Sequence, residues 1–395
     1  MGSNPSIILA RENWRHRDRL FGMHQSDRLQ HLYVIGQTGT GKTTLVQNLV
    51  WQDVALGRGV AFFDPHGDAV EELRAPLQAR RPSDSLYLDA GAQEPTFGFN
   101  PLFDVPEAQH ALAANGIVEA FRMIWTGNAW GARLEHLLRN GLLTLVAQPS
   151  ATLNDLNRLF SDKKYRERCV RRLRHPATID FWLKEFASYP PRYRVEALTP
   201  LWNKLGAFLA QPPLYRILTR RDGLLSPRTI LDQGIALFVN LAKGRIGADG
   251  ASLLGSLMVS SLGVAALSRA DLIEHLRRPY FLYLDEFHNF STLAFASMLS
   301  ELRKYGLGLT LAHQYLGQLS EEVRLAILGN VGSVMSLRVG AEDALLLQRL
   351  FTPEVDAQDL TYLPNHNAYV RLLVNGKATR PFSARTLEPL WRRAG

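Results

Sequence analysis

The chain has 395 residues, 46% of them apolar, and a formal net charge of +8. That much apolar material excludes a broadly disordered chain, and the length accommodates two domains or one large domain with an insertion. The basic balance fits a polyanionic partner, while Cys169 as sole cysteine excludes an internal disulfide and fits a reducing cytoplasm.

In chain order, Met1-Gly-Ser-Asn-Pro-Ser reads as a plain free terminus without a signal peptide. The first expected strand covers 32–35 and runs into VIGQTGTGKTT, residues 34–44. Gly36-Gln-Thr-Gly-Thr-Gly-Lys-Thr matches GxxxxGK[ST] between a strand and a helical pattern. Glycines permit the backbone torsions that turn successive N–H groups towards phosphate oxygens, and the helix start adds its positive end. We assign Gly36, Thr38, Gly39, Thr40, Gly41, Lys42, Thr43 and Thr44 to the nucleotide. Lys42 reaches the β and γ phosphates of ATP, and Thr43 ligates Mg²⁺.

Further strands are expected at 59–63, 85–88, 235–241, 280–284, 307–312 and 333–339, mostly separated by helical patterns. This alternation predicts an α/β fold with a mostly parallel central sheet covered on both faces. From 105 to 228 the strand signal is absent, and segments such as ARLEHLLRNGLLTLV carry helical periodicity. We read 105–228 as an all-helical insertion punctuated by Pro190-Pro191 and Pro212-Pro213. Within it, DKKYRERCVRRLRH (162–175) reads as a solvated face or as a surface for nucleic acid or a partner. The uncharged run 250–268 reads as a buried helix rather than a membrane span. Asn375-Gly376 between apolar runs at 368–374 and 377–382 predicts a C-terminal β-hairpin.

Two of these strands carry hydrolytic chemistry. RPYFLYLDEFHNF ends an apolar strand in Asp285-Glu286, placing Asp285 beside Mg²⁺ and Glu286 where it polarises the attacking water. LRKYGLGLTLAHQ ends at Gln314, a polar group able to sense the γ phosphate. Phosphate loop, Asp-Glu strand and Gln strand, in that order, describe a RecA-like P-loop NTPase core with a strand between the loop strand and the Asp-Glu strand. A GTPase would carry NKxD, which Asn203-Lys204-Leu205-Gly206 approaches without the Asp.

Several stretches resemble the HerA/FtsK superfamily of DNA-pumping ATPases: FFDPHGDAVEEL (62–73) with GFNPL (98–102), NLAKGRIG (240–247), YLDEFHNF (283–290), ELRKYGLGLTLAHQYLGQL (301–319) and GNVGSVMSLRVGAEDA (329–344). The later ones resemble the branch of type IV secretion coupling proteins. WGARLEHLLRN (130–140) and NKLGAFLAQPP (203–213) are similar to soluble HerA-like ATPases of mobile elements. The resemblance implies a ring, commonly a hexamer, with ATP between subunits and an arginine finger from the neighbour. Arg303 holds the matching position, with Arg338 and Arg245 in reserve. It also places Asp64 and His66 near the nucleotide. Coupling proteins usually begin with membrane helices, and this chain carries no such segment.

The expected organisation is a RecA-like motor domain in two parts, 1–104 and 229–395, around the helical insertion 105–228. The expected function is an ATP-driven DNA translocase, cytoplasmic or held at the inner membrane face through partners, contacting DNA phosphates with little sequence preference. Relaxase and secretion-channel proteins are its expected partners in conjugation or mobile-element transfer. Two alternatives stay open: a HerA-like translocase in repair or phage defence with a nuclease partner, and a nucleotide-gated adaptor for protein cargo.

Overall fold

The computed structural model describes residues 6–125 and 130–393. The expected free terminus falls mostly outside them. The strands are β1 (Ile7–Glu12), β2 (Arg19–Met23), β3 (Leu32–Ile35), β4 (Gly59–Asp64), β5 (Ser85–Asp89), β6 (Ala236–Asn240), β7 (Tyr280–Leu284), β8 (Leu307–His313), β9 (Ser333–Ser336), β10 (Asn367–Arg371), β11 (Leu373–Val374), β12 (Lys377–Ala378) and β13 (Phe382–Thr386). Eleven form one sheet in the order β2-β1-β13-β10-β9-β3-β8-β7-β4-β6-β5. From β9 to β6 the pairings are parallel. Such strands are covered on both faces, which is why LYVI, YFLYL and LGLTLAH read as continuous buried runs rather than alternating ones. The expected α/β core with a mostly parallel sheet is therefore present, and β8 lies between β3 and β7.

The other flank is antiparallel and was not evident from pattern: β10 pairs with β9 and β13, and β1 with β13 and β2. The C-terminal hairpin turns at Asn375 (φ 51°) and Gly376 (φ 75°), the two positive torsions of a type I′ turn. Only β11 and β12 flank that turn directly, as a separate two-stranded sheet, while β10 and β13 continue into the large one. β9 ends earlier than its apolar run, because Arg338 turns its carbonyl to accept from the Gln37 N–H at 2.8 Å.

The chain packs as two compact units: 1–87, 230–240 and 269–395 form the first, and 88–229 with 241–268 the second. In the first, the helix Lys42–Ala55 follows the phosphate loop and is pinned by a buried charge network. Arg28 grips Asp53 of that helix with both guanidinium nitrogens, at 2.8 and 2.6 Å, and reaches Tyr283 of β7 at 2.6 Å. Arg58 adds a bond to Asp53 at 2.7 Å. Removing one partner would strand a buried charge, which costs about 3–5 kcal/mol. The network therefore fixes the loop helix against the strand that carries the candidate acids.

In the second unit, the described residues of 105–228 contain helices and no strand. Helices Pro191–Leu209 and Pro212–Thr219 begin at prolines, whose missing N–H is no loss in a first turn. The helix Lys243–Ser268 is long and apolar enough to cross a bilayer, yet 83% of its most apolar window is buried. It packs on His110–Ile124 closely enough that a Cβ on Gly116 would stand 2.0 Å from Ser260 Oγ. Its small residues serve that close approach.

Candidate active site

Parallel register brings the chemistry to one edge of the sheet in the first unit. Ile35 is level with His313, so Gly36 and Gln314 leave their strands together. Phe63 is level with Leu284, so Asp64 and Asp285 do the same. The loop then needs left-handed backbone at Gly39 (φ 78°) and Gly41 (φ 105°). At Gly41 a Cβ would also stand 2.7 Å from His366 Nδ1, so glycine is required there twice over. Thr40 closes the turn with Oγ1 on the Gln37 carbonyl at 2.7 Å, and its own carbonyl accepts from the His366 N–H at 3.0 Å. Thr44 sits half-buried in the first turn of the helix.

Lys42 is buried, and its ammonium donates to the carbonyls of Gly36 at 2.5 Å and Gln37 at 3.1 Å. Burial lowers its pKa, opposed by the charges of Glu286 and Asp285. The cation is thus held at the loop mouth by neutral carbonyls that a phosphate oxygen can outcompete. Thr43 Oγ1 donates to Asp285 Oδ2 at 3.0 Å. Burial pushes the Asp285 carboxyl up to about 7, reinforced by Asp64 and Glu286. The negative charge around Asp285, from Glu286 and from Asp64 further off, is one that a divalent cation would relieve. A hydroxyl and a carboxylate fit Mg²⁺, which keeps waters and takes phosphate oxygens as its other ligands. Among the described residues no cluster of three His, Cys, Asp or Glu could hold a metal by itself.

Asp64 stands apart from direct contact with this pair: its carboxylate accepts from the N–H groups of His66, Ala69 and Val70, and so anchors the start of helix Asp68–Arg80. The His66 side chain is exposed.

Glu286 is the distinctive residue. Its backbone is left-handed (φ 47°), which turns the side chain off the end of β7. Oε1 accepts from Gln314 Nε2 at 2.9 Å, and Gln314 Oε1 accepts from Thr38 Oγ1 at 3.0 Å. Oε2 is buried without a hydrogen bond, and His288 Nδ1 lies 3.5 Å from it. An orphaned carboxylate oxygen of this kind is costly unless something else, such as a water, donates to it.

Gln314 is positioned in turn by Gln318, whose Oε1 accepts from the N–H groups of Gln314 (3.1 Å) and Tyr315 (3.2 Å). The same oxygen lies 3.3 Å from His313 Nδ1, which must therefore carry the proton, leaving Nε2 to accept from Tyr33 OH at 2.5 Å. Burial lowers the His313 pKa to about 3, so the imidazole stays neutral in this clamp. The sequence pattern singled out Gln314 but not Gln318, His313 or Tyr33, because none of these has a motif signal of its own.

The three candidate fingers separate. Arg303 is exposed, donates to Gln30 Oε1 at 3.0 Å, and precedes β8. Gln314 follows β8, whose seven residues span roughly 23 Å at about 3.3 Å each. Arg303 therefore lies at the opposite edge of the sheet from the loop of its own chain. Arg338 lies beside the loop, with Nε 3.3 Å from Gln37 Oε1. Arg245 belongs to the second unit and pairs with Asp89 at 2.6 Å.

Residues 25–86 match the family model described as "Helicase HerA, central domain". A stretch of 135 residues, 34% of the chain, is 30% identical to the dITP/XTP pyrophosphatases of two Thermus thermophilus strains, and covers 55% of their length. Among solved structures, the plasmid coupling protein TrwB in complex with ADP and Mg²⁺ is 18% identical, with a TM-score of 0.65 over 98% of this chain and 96% of that one. TrwB with the ATP analogue ADPNP gives 18% and 0.64 over 96% and 89%. VirB4 of Thermoanaerobacter pseudethanolicus gives 15% and 0.63 over 100% of both chains. Residues 25–86 thus match the HerA central-domain model, and the chain has the P-loop NTPase fold of the coupling protein TrwB and of VirB4.

Proposed function

We propose that this protein is a ring-forming, ATP-driven DNA translocase of the coupling-protein kind, acting in conjugation or mobile-element transfer from the cytoplasmic side. The observation that carries the hydrolytic part is Glu286, with one oxygen fixed by Gln314 and the other buried without a hydrogen bond, 3.5 Å from His288 Nδ1. In this reading the loop amides and Lys42 hold the β and γ phosphates of ATP, and Thr43 and Asp285 hold Mg²⁺. Bound Mg²⁺ would supply positive charge to those phosphate oxygens. Glu286 Oε2 accepts from the attacking water and orients it, while Gln314 keeps the carboxylate from swinging away. We read the motor as 1–104 and 229–395 with 105–228 as its helical insertion, the segments 88–104 and 241–268 packing in the insertion's compact unit.

The ring part rests on Arg303. It stands too far from its own loop to act there, and on a neighbouring copy such an edge could face the next subunit's γ phosphate. A hexamer is the form this reading favours. DNA is contacted through its phosphates, since a motor must pass over any sequence.

The test is steady-state ATP turnover with and without DNA, combined with ATP-dependent displacement of a triplex-forming strand. DNA-stimulated turnover with displacement is expected. Turnover indifferent to every DNA tried would favour the protein-cargo adaptor. Release of pyrophosphate instead of orthophosphate would overturn the γ-phosphate assignment.

A further inference from the structure

The helical unit concentrates charge far beyond what the ATPase site uses. Residues 155–194 hold eleven Lys and Arg against five Asp and Glu, a net +6 of the chain's +8. Their centre is the helix Lys163–Val170, whose buried face is formed by Cys169 and Val170. The helical period sends Lys163, Arg166 and Val170 to one flank, and Tyr165, Arg168 and Cys169 to the opposite one. A cleft opens on each flank. One, of about 650 Å³, is rimmed by Lys163, Arg166, Arg171 and Arg194. The other, of about 290 Å³, is rimmed by Arg158, Arg168, Arg172 and Arg221.

These cations are only partly neutralised from within: Lys163 pairs with Glu167, Arg158 with Asp162 and Arg221 with Asp155. Among the described residues Arg166, Arg171 and Arg194 in the first cleft, and Arg168 and Arg172 in the second, form no ion pair. Arg166 and Arg194 both lie over the ring of Phe186, at 5.1 and 4.9 Å. Arg194 Nε is buried without a hydrogen-bond partner. Arg166 donates to the carbonyls of Leu159 and Phe160 and Arg194 to that of Ala187, bonds that bring no negative charge, so an external anion would still stabilise the pair.

We propose that this helix is a ridge that enters a groove of duplex DNA, its two clefts each receiving the phosphates of one strand. An α-helix with side chains is about 10–12 Å across, which matches the roughly 12 Å width of the major groove. The surface is distinct from the nucleotide site, and the proposal rests on the reading of the protein as a DNA motor.

The experiment uses the full chain and a fluorescein-labelled 20-base-pair duplex, with anisotropy followed over a salt series. Arg166→Gln/Arg194→Gln and Arg168→Gln/Arg172→Gln should each weaken binding at least tenfold. Each should also flatten the slope of log K against log salt by about 1.8, two contacts at about 0.9 each. ATP turnover without DNA should be unchanged in both. A control on the first unit, Lys377→Gln/Arg380→Gln, should change affinity less than twofold. Parent-like affinity and slope in both test variants, with a parent that binds duplex, would overturn the ridge and leave the motor reading intact. A parent that binds no DNA would overturn both. Losses confined to a single-stranded oligo-dT probe would overturn the duplex assignment. If a double variant fails to fold, Lys163→Gln and Arg171→Gln at exposed positions of the first cleft pose the same question.

Discussion

Replacing Glu286 by Gln isolates the group on which the hydrolytic assignment depends. The carboxylate accepts at Oε1 from Gln314 Nε2 at 2.9 Å, and its Oε2 is buried without a hydrogen bond. A glutamine can preserve the first bond only by presenting its oxygen to Gln314. Its NH₂ then occupies the place of Oε2, so a donor faces the water where an acceptor is needed. Loss of a positioned base is worth about 10²–10⁴ in rate, roughly 3–5 kcal/mol of barrier. ATP affinity should hardly move, because the loop and Lys42 are untouched. The assay is orthophosphate release at saturating ATP, beside binding of a fluorescent ATP analogue. Gln314→Ala completes a double-mutant cycle. It removes a bond to a charged group, worth about 1.5–3 kcal/mol, so alone it should slow turnover roughly 10- to 150-fold. In the Glu286→Gln background it should cost far less, since the pair acts as a unit. Parent-like turnover in Glu286→Gln would refute the assignment of the base, and strict additivity would refute the positioning role of Gln314.

Lys42→Ala should nearly abolish turnover, because its ammonium is the compact charge at the loop mouth; retention of more than a tenth of parental activity would contradict this. Arg303→Ala should keep ATP binding and lose hydrolysis, with such a finger worth ~10³–10⁵ in rate. Mixed with Lys42→Ala, itself inactive, it should regain partial activity through interfaces that join an intact loop to an intact finger. No recovery in rings shown to be mixed would move the finger to Arg338 or Arg245. Burial lowers the His31 pKa to about 4 from an ordinary 6.5, while Nε2–H donates to Leu299 O and Nδ1 accepts from the Leu309 N–H. Unfolded His31 takes up a proton below pH 6.5 and the folded group does not, so stability is full above that pH and falls towards pH 4. The limit for this residue is about 3 kcal/mol. Urea midpoints at pH 7.5 and 4.5 check it: the drop should be smaller in His31→Gln, and an equal drop would clear His31 of the effect.

The phosphate loop, the Asp-Glu pair, Gln314 and the helical run 105–228 were legible without coordinates. Each is written locally: glycines at fixed offsets, an apolar run ending in acids, a 3.6-residue period. The turn at Asn375-Gly376 was legible for the same reason, since two positive torsions demand those residue types. The antiparallel flank was not. β1 buries Ile7, Leu9, Ala10 and Glu12 and exposes Ile8 and Arg11, with a register shift between Ile8 and Ala10, so its period-two signal is broken, and its partner β13 lies more than 370 residues away in the chain. Pairing at that separation leaves no trace in a local window.

The electrostatics were equally hidden. Asp285 rises to about 7 because folding buries it beside Asp64 and Glu286, from two strands that the sheet brings together. The chain from Thr38 through Gln314 to Glu286 joins three segments up to 276 residues apart, through hydrogen bonds whose existence depends on parallel register. Sequence by itself therefore determined which groups are present and what chemistry they permit, because residue type and short spacing carry that information. Only tertiary structure decided which carboxylate oxygen is left without a hydrogen bond and which arginine stands out of reach of its own loop. Those outcomes depend on burial and on strand order, which no local pattern encodes.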